Sequence, residues 1–502
     1  MARAASGTPV RDRSRDREYE RTVMRPLTGM DAAFLSLETP TTPMHVGVVL
    51  VLDPPEGRRS LFSPSTRYAQ IRRVIEQRLH LVPPLRQRAI RVPFGLHHPV
   101  WVDDPDFEMD DHLMRASVPS PGAKAELDAF VAAVMSRPLD PDRPLWEMYI
   151  VEGLEHGRSA LIAKVHHSIL DGVSGASVLA AFLDLNPRSR VVPLHPAWNP
   201  DPLPSNASML RHAASSLARQ PGETLSTLQA GVEAVADLGM HNRALVSRGE
   251  RPPPGFFSAP RTSFNGAVSN RKRFCSLSLP LDDVKLVGRV FEATVNDVVL
   301  ACVSGGLRRL LEARGEELGH GLVAMVPVST RPDGAGEDLG NQISGMLVSL
   351  ASDVEDPVQR LDAISESARV AKEQEKLHRG RFIGDLAQLA LPAVTTRLAR
   401  AVAGIRLFDK MRPPFNVTVS SVRGPDFSLF CAGSRVIELY PVGPMAEGIG
   451  VNVTVFSYLD RVQFGLFACR KLLPELDAVA LFIDDALGEL VASALDAQGA
   501  TA

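Results

Sequence analysis

Apolar positions in the first half of the chain fall into strand-length runs separated by stretches of helical spacing. The run HVGVVLVL at residues 45–52 reads as a strand, and residues 100–102 and 145–151 are further strand candidates on either side of a helix at 125–135. A short helix at 31–37, capped by Thr28, and a second at 71–79 with its charges on the opposite face complete this part. The proline-bearing TPTTP run at 39–43 is a turn. Residues 159–184 organise the rest: Leu161, Ile162 and Val165 form a buried strand, and residues 173–183 read as a helix rich in small apolar side chains. The sequence between them, His166-His167-Ser168-Ile169-Leu170-Asp171-Gly172, puts two adjacent histidines on a strand-to-helix turn.

The alternation ends near residue 190. Residues 193–254 contain two proline-rich breaks around a weakly amphipathic helical region at 205–246, a connector that wraps between domains. The second half restarts with a strand at 274–279 and a helix at 281–291. A long helix follows from about Asn296, with Thr294 and Asn296 as caps and Asp297 at its positive end. Strands are expected at 322–328, 343–350, 415–420, 436–440, 450–458 and 462–467, with helices at 358–371 and 476–494. This order loosely echoes the first half, whereas the histidine motif occurs once.

A chain of 502 residues exceeds what one core sustains. The expected organisation is a solvated Arg-rich arm at 1–25, an α/β (α+β) domain at 26–190, a connector at 191–262 and a second domain at 263–495. Lys and Arg number 55 against 58 Asp and Glu, a formal charge of −3, which gives no electrostatic case for nucleic acid. The cysteines Cys275, Cys302, Cys431 and Cys469 lie far apart, form no metal-spaced cluster and read as reduced thiols of a cytoplasmic protein; no metal is expected. The acidic residues interspersed in the first 25 positions and the absence of a following apolar core argue against a targeting peptide. No uninterrupted apolar run reaches the ~18 residues of a spanning helix, so any membrane contact is peripheral. Residues 382–407 have an apolar helical face beside Arg397, Arg400 and Arg406. They read first as a helix packed on the core with solvated arginines, and second as a segment lying in a lipid interface or gating a tunnel.

Histidine on such a turn suits proton chemistry, because its pKa lies near the working pH and rigid elements hold it at a cleft. Asp171, four residues after His167, can turn back toward the imidazole or pair with an arginine to hold the turn, and Gly172 allows a conformation or close approach that a Cβ would block. The competing reading is a structural histidine pair satisfied by backbone groups. His97-His98, followed by Pro99 and lacking the later Asp-Gly, is read as structural or peripheral.

HHxxxDG at 166–172, with Pro144-Leu145-Trp146 upstream, Asn296-Asp297 opening a later helix and PLTGMDAAFL at 26–35, resembles the bacterial wax ester synthase/diacylglycerol acyltransferase family. Met44-His45-Val46-Gly47, Val326-Pro327-Val328-Ser329, Gly340-Asn341 and Asn416-Val417-Thr418-Val419-Ser420 match in the same order, so that the resemblance runs from about Pro26 to Leu490. It implies two chloramphenicol-acetyltransferase-like domains joined by a helical crossover, with the histidine turn facing a tunnel between them. It further implies His167 as general base with His166 beside it, Asp171 as a mainly structural orienter and Gly172 in the turn. Pro144, Leu145 and Trp146 would shape the acceptor side, and Asn296 and Asp297 would support the site from the second domain. The family's SNVPGP reads Ser420-Ser421-Val422-Arg423-Gly424-Pro425 here, a departure at Ser421 and Arg423 that bears on acceptor preference.

The reaction implied is acyl transfer from a long-chain acyl-CoA, a co-substrate and not a bound cofactor, to a lipid alcohol. Diacylglycerol is the first choice of acceptor and a fatty alcohol the second; a non-catalytic lipid-binding protein of the same fold is the rival. Partners are therefore acyl-CoA, a lipid alcohol and, peripherally, a membrane or lipid droplet. No GxSxG elbow is visible, and an already activated thioester requires no serine or cysteine nucleophile. The oxyanion donors are not identified, a turn amide near Gly172 being one candidate.

Overall fold

The computed structural model describes residues 25–54, 64–169, 172–193, 198–217, 240–329, 343–378 and 411–501. Its first-half elements are β1 (Arg25–Pro26), α1 (Gly29–Leu37), β2 (His45–Leu52), α2 (Pro64–Arg78), β3 (Gln87–Ile90), β4 (Val100–Asp103), β5 (Leu113–Ser117), α3 (Lys124–Met135), β6 (Trp146–Glu152), β7 (Ser159–His166), α4 (Gly172–Phe182) and α5 (Asn206–Leu217). The second half adds β8 (Lys272–Pro280), α6 (Leu281–Val290), α7 (Val295–Ala313), β9 (Val323–Ser329), β10 (Ile343–Ser349), α8 (Pro357–His378) and β11 (Val417–Val422). It continues with β12 (Phe430–Cys431), β13 (Ser434–Val442), β14 (Val451–Tyr458), β15 (Arg461–Cys469) and α9 (Leu476–Thr501).

Two six-stranded mixed sheets dominate. The first runs β12-β13-β2-β7-β6-β5 and the second β10-β9-β11-β14-β15-β8, with β1, β4 and β3 forming a small third sheet. This is the two-sheet α/β architecture read from the alternation of elements. Covering elements on both faces explain why β2 and β7 are apolar nearly throughout instead of alternating. Leu161 and Val165 of β7 enter a core with Trp146, Ile71 and Leu79, while Ala160 and Ile162 face Val131 and Met135 of α3. A third core, under the second sheet, gathers α7 and α9 around Val451, Val453 and Phe464.

The strand expected at 436–440 forms as β13, but it pairs antiparallel with β2 of the first sheet, Tyr440 opposite Val49 and Val442 opposite Gly47. Chain from the second half thereby completes the sheet that carries the histidines. The two sheets meet along β13 and β15, where a Cβ on Gly465 would lie 1.6 Å from the Pro441 carbonyl oxygen, so only glycine permits the approach. Asp128 of α3 fastens the same junction by accepting from the Ser276 hydroxyl at 2.8 Å and the Ser276 amide at 3.1 Å.

Several boundaries differ from the pattern reading. α2 starts at Pro64, well before the first apolar position of its face, because proline serves at a helix start. β3 (QRAI) and β5 (LMRAS) were not anticipated, since neither contains an apolar run. The helical region at 205–246 is seen as α5 and a short helix from residue 240; its middle lies outside the described residues, as do residues 382–407.

Candidate active site

The turn after β7 is fixed by backbone hydrogen bonds from three directions. The His166 amide donates to Leu145 O at 2.9 Å, the His167 amide to Met44 O at 2.8 Å and the Ile169 amide to His166 O at 3.0 Å. Pro144-Leu145-Trp146 therefore meets the turn through the carbonyl of Leu145. The Trp146 ring is fully buried, stacks on His112 at 4.6 Å and donates Nε1–H to Leu85 O at 2.7 Å, so it sets the shape of the core beneath the turn.

The two histidines face different surroundings because adjacent residues on a strand point to opposite sides. His166 is fully buried. Its Nδ1 accepts from the Ser168 amide at 3.1 Å and lies 2.7 Å from Ser168 Oγ. An amide can only donate, so the ring proton sits on Nε2, which faces Glu38 Oε2 at 3.5 Å. His167 is half-buried at the strand end, and its ring lies flat on Phe34 of α1, centroids 4.1 Å apart and planes at 14°.

Glu38, the residue after α1, stands between two imidazoles. Its Oε1 is 3.4 Å from His45 Nε2, and His45 is the strand partner of His166, with their rings edge to face at 6.0 Å. Among the described residues, Glu38 Oε1, both His45 nitrogens and His166 Nε2 make no hydrogen bond, so the three side chains are packed together without hydrogen bonds between them. Burial tends to raise the Glu38 pKa, yet the contacts with His166 and His45 outweigh it and hold the carboxyl well below its ordinary range. His45 is pushed down to about 4, chiefly by burial, against the opposing pull of Glu38. Two residues back along β7, Lys164 is buried, donates to Arg137 O at 2.6 Å and pairs with Glu147 at 3.1 Å; burial lowers its pKa. The turn thus contains a half-buried imidazole on an aromatic platform, next to a buried imidazole whose tautomer and partner are fixed.

Phe34, Glu38 and His45 were not anticipated in any role. The available signal was that Phe34 and His45 fall in the PLTGMDAAFL and Met44-His45-Val46-Gly47 segments of the resemblance, but nothing local ties either, or Glu38, to a motif more than a hundred residues away. Of the anticipated residues, His166, His167, Leu145 and Trp146 come together, Gly172 opens α4, and Asp171 lies outside the described residues. Asn296 is half-buried in the first turn of α7. Asp297 is engaged in a capping box, accepting the Thr294 amide at 2.9 Å and the Thr294 hydroxyl at 2.6 Å. Ser421 and Arg423 are both exposed at the end of β11. Gly424 beside them is required by packing, since a Cβ there would come 2.1 Å from Phe456 and from Ser457 O.

The wax ester synthase/diacylglycerol acyltransferase catalytic domain model matches residues 27–299, and the C-terminal domain model of the same family matches residues 339–491. The chain belongs to this family. A Mycobacterium tuberculosis protein provisionally named a diacylglycerol O-acyltransferase is 36% identical over 451 residues, covering 89% of this chain and 92% of its own. A second from the same organism, with the same provisional name, is 34% identical over 472 residues, 93% and 90% of the two chains. Among solved structures, the wax ester synthase/diacylglycerol acyltransferase from Marinobacter aquaeolei VT8 superposes with a TM-score of 0.65 at 29% identity, covering 94% of this chain and 100% of that one. The first condensation domain of the calcium-dependent antibiotic synthetase superposes at 0.54 with 16% identity over 94% and 97%, a likeness of fold. The wax ester synthase/diacylglycerol acyltransferase assignment makes the protein an acyltransferase, with its histidine turn inside the catalytic-domain match.

Proposed function

We propose that the protein transfers a long-chain acyl group from acyl-CoA to the hydroxyl of diacylglycerol, giving triacylglycerol and CoA, with His167 as general base. The observation that carries this reading is the half-buried His167 ring stacked on Phe34 at the end of β7, beside the buried His166 and His45 rings and the partly exposed Glu38 carboxylate between them. His167 takes the proton from the acceptor hydroxyl as that oxygen attacks the thioester carbonyl. The C–S bond then breaks, and the same proton passes to the departing CoA sulfur. General-base assistance of this kind contributes about 10²- to 10⁴-fold. Glu38 and His166 act as positioning residues, with the carboxylate anchoring the His166 ring and the His166 backbone forming the turn that carries His167.

Diacylglycerol is favoured as acceptor by the names of the mycobacterial relatives. A long-chain alcohol is the second reading, favoured by the structural likeness to the Marinobacter protein, named for both activities. Both acceptors are lipids, and no helix among the described residues is long and apolar enough to cross a membrane. The encounter proposed with these lipids is peripheral, on the cytoplasmic side of a lipid surface.

The test is product analysis with labelled palmitoyl-CoA, diacylglycerol and hexadecanol in one assay, alongside His167→Ala. Labelled triacylglycerol that disappears in the variant supports the reading, and labelled wax ester transfers it to the second acceptor. Stoichiometric lipid binding without His167-dependent product overturns it in favour of a lipid-binding protein.

A further inference from the structure

Resting on the reading that the acceptor comes from a lipid phase, we propose that the loops carrying Phe256, Phe257 and Met411 form the surface that sits on an anionic lipid interface. Phe256 is 61% exposed, Phe257 47% and Met411 41%. The loops are joined and firmly backed: the Phe257 amide donates to Pro414 O at 3.4 Å, and Asn416 Nδ2 donates to Pro260 O at 2.7 Å and to Asn265 Oδ1 at 2.8 Å. Beneath them Ala259 and Phe415 are buried with Val323, Leu347 and Ile449. Phe257 has φ of 64°, the left-handed region, which is strained for a bulky side chain. A residue that folding disfavours and water does not favour is therefore kept on a rigid support, facing outward.

The charges around the apolar tips select the occupant. Arg251, Arg261 and Arg412 are exposed on the same two loops, and neither Arg251 nor Arg412 forms an ion pair among the described residues. The nearby acids are engaged: Glu250 is held by Arg369 at 2.9 Å, and Glu316 accepts the Ser263 amide at 2.9 Å. Aromatic and thioether tips rimmed by the exposed Arg251, Arg261 and Arg412 match the acyl and headgroup layers of an anionic lipid surface. Residues 443–450 link this surface to the active site. They run from Val442, paired with Gly47 two residues from His45, to Ile449 in the cluster under Ala259.

The experiment is co-sedimentation of the full chain with phosphatidylcholine vesicles, with and without phosphatidylglycerol, at low and high salt. It compares wild type with Phe256→Ser/Phe257→Asn and with Arg251→Ser/Arg412→Ser; Asn is chosen because it tolerates the left-handed backbone. Wild type should bind the anionic vesicles in a salt-sensitive way. Each double variant should lose about tenfold or more in partitioning while keeping the thermal midpoint and the turnover of detergent-dispersed substrates. Failure of wild type to bind, or binding by both variants equal to wild type, overturns the proposal. Vesicle binding with no acyl transfer in detergent would leave this surface standing and defeat the proposed reaction instead.

Discussion

The Phe34 ring lies parallel to that of His167, 4.1 Å away, so the side chain assigned the proton transfer rests on a residue of the first helix of the fold. Replacing His167 with Ala should lower kcat by about 10²- to 10⁴-fold while leaving the acyl-CoA dissociation constant within a few fold. Rapid-mixing kinetics alongside ligand titration checks this, and near-normal turnover would reassign the base.

Removing the platform should have a smaller effect. A stacked aromatic pair contributes roughly 0.5–1.5 kcal/mol, so Phe34→Ala should reduce kcat/KM by about three- to tenfold, and Phe34→Tyr should restore most of it. A loss equal to that of His167→Ala would mean that Phe34 holds the whole turn in place.

Glu38 separates shape from charge. Glu38→Gln keeps the volume between His45 and His166 but removes the carboxylate, and a partly exposed contact of this kind is worth up to about 1 kcal/mol. The expected outcome is a kcat lowered by about two- to fivefold with KM little changed. A KM effect alone would assign Glu38 to substrate binding.

Stability should fall on mild acidification. The folded His45 pKa is about 4, below the ordinary 6.5, so the unfolded chain binds the extra proton between those values and stability decreases as pH falls through that window. The difference corresponds to roughly 3 kcal/mol over the full range. Glu38, lowered by His166 and His45 against the effect of burial, acts in the same direction below its ordinary value of 4.5. Urea midpoints measured from pH 7 to pH 4 should therefore decline, and His45→Asn should remove the part of the decline between pH 6.5 and pH 5.

Arg78 and Asp184 form a buried pair, Nη2 at 2.8 and 3.0 Å from the two carboxylate oxygens, and Arg78 Nη1 also donates to Phe182 O at 3.0 Å, the last residue of α4. Arg78→Met should destabilise by about 3 kcal/mol because it leaves buried Asp184 with only the Arg190 amide at 3.2 Å and the Arg190 guanidinium at 4.0 Å, whereas Arg78→Met with Asp184→Leu should recover most of that. Chemical denaturation of both variants decides it; equal loss in the two would assign the contribution to the backbone contacts instead.

Local pattern determined much of this protein. Strands β2, β6 and β7, the helices beside them and the placement of two histidines on a strand-to-helix turn follow from the spacing of apolar residues, because side-chain period and chain geometry are properties of neighbours. Tertiary structure alone decided the pairing of β13 with β2, the strand character of the polar segments β3 and β5, and the convergence of Phe34, Glu38 and His45 on the turn. Each depends on residues distant along the chain, whose meeting is selected by burial of both sheet faces and by side-chain packing around the turn. No local window of sequence encodes those terms.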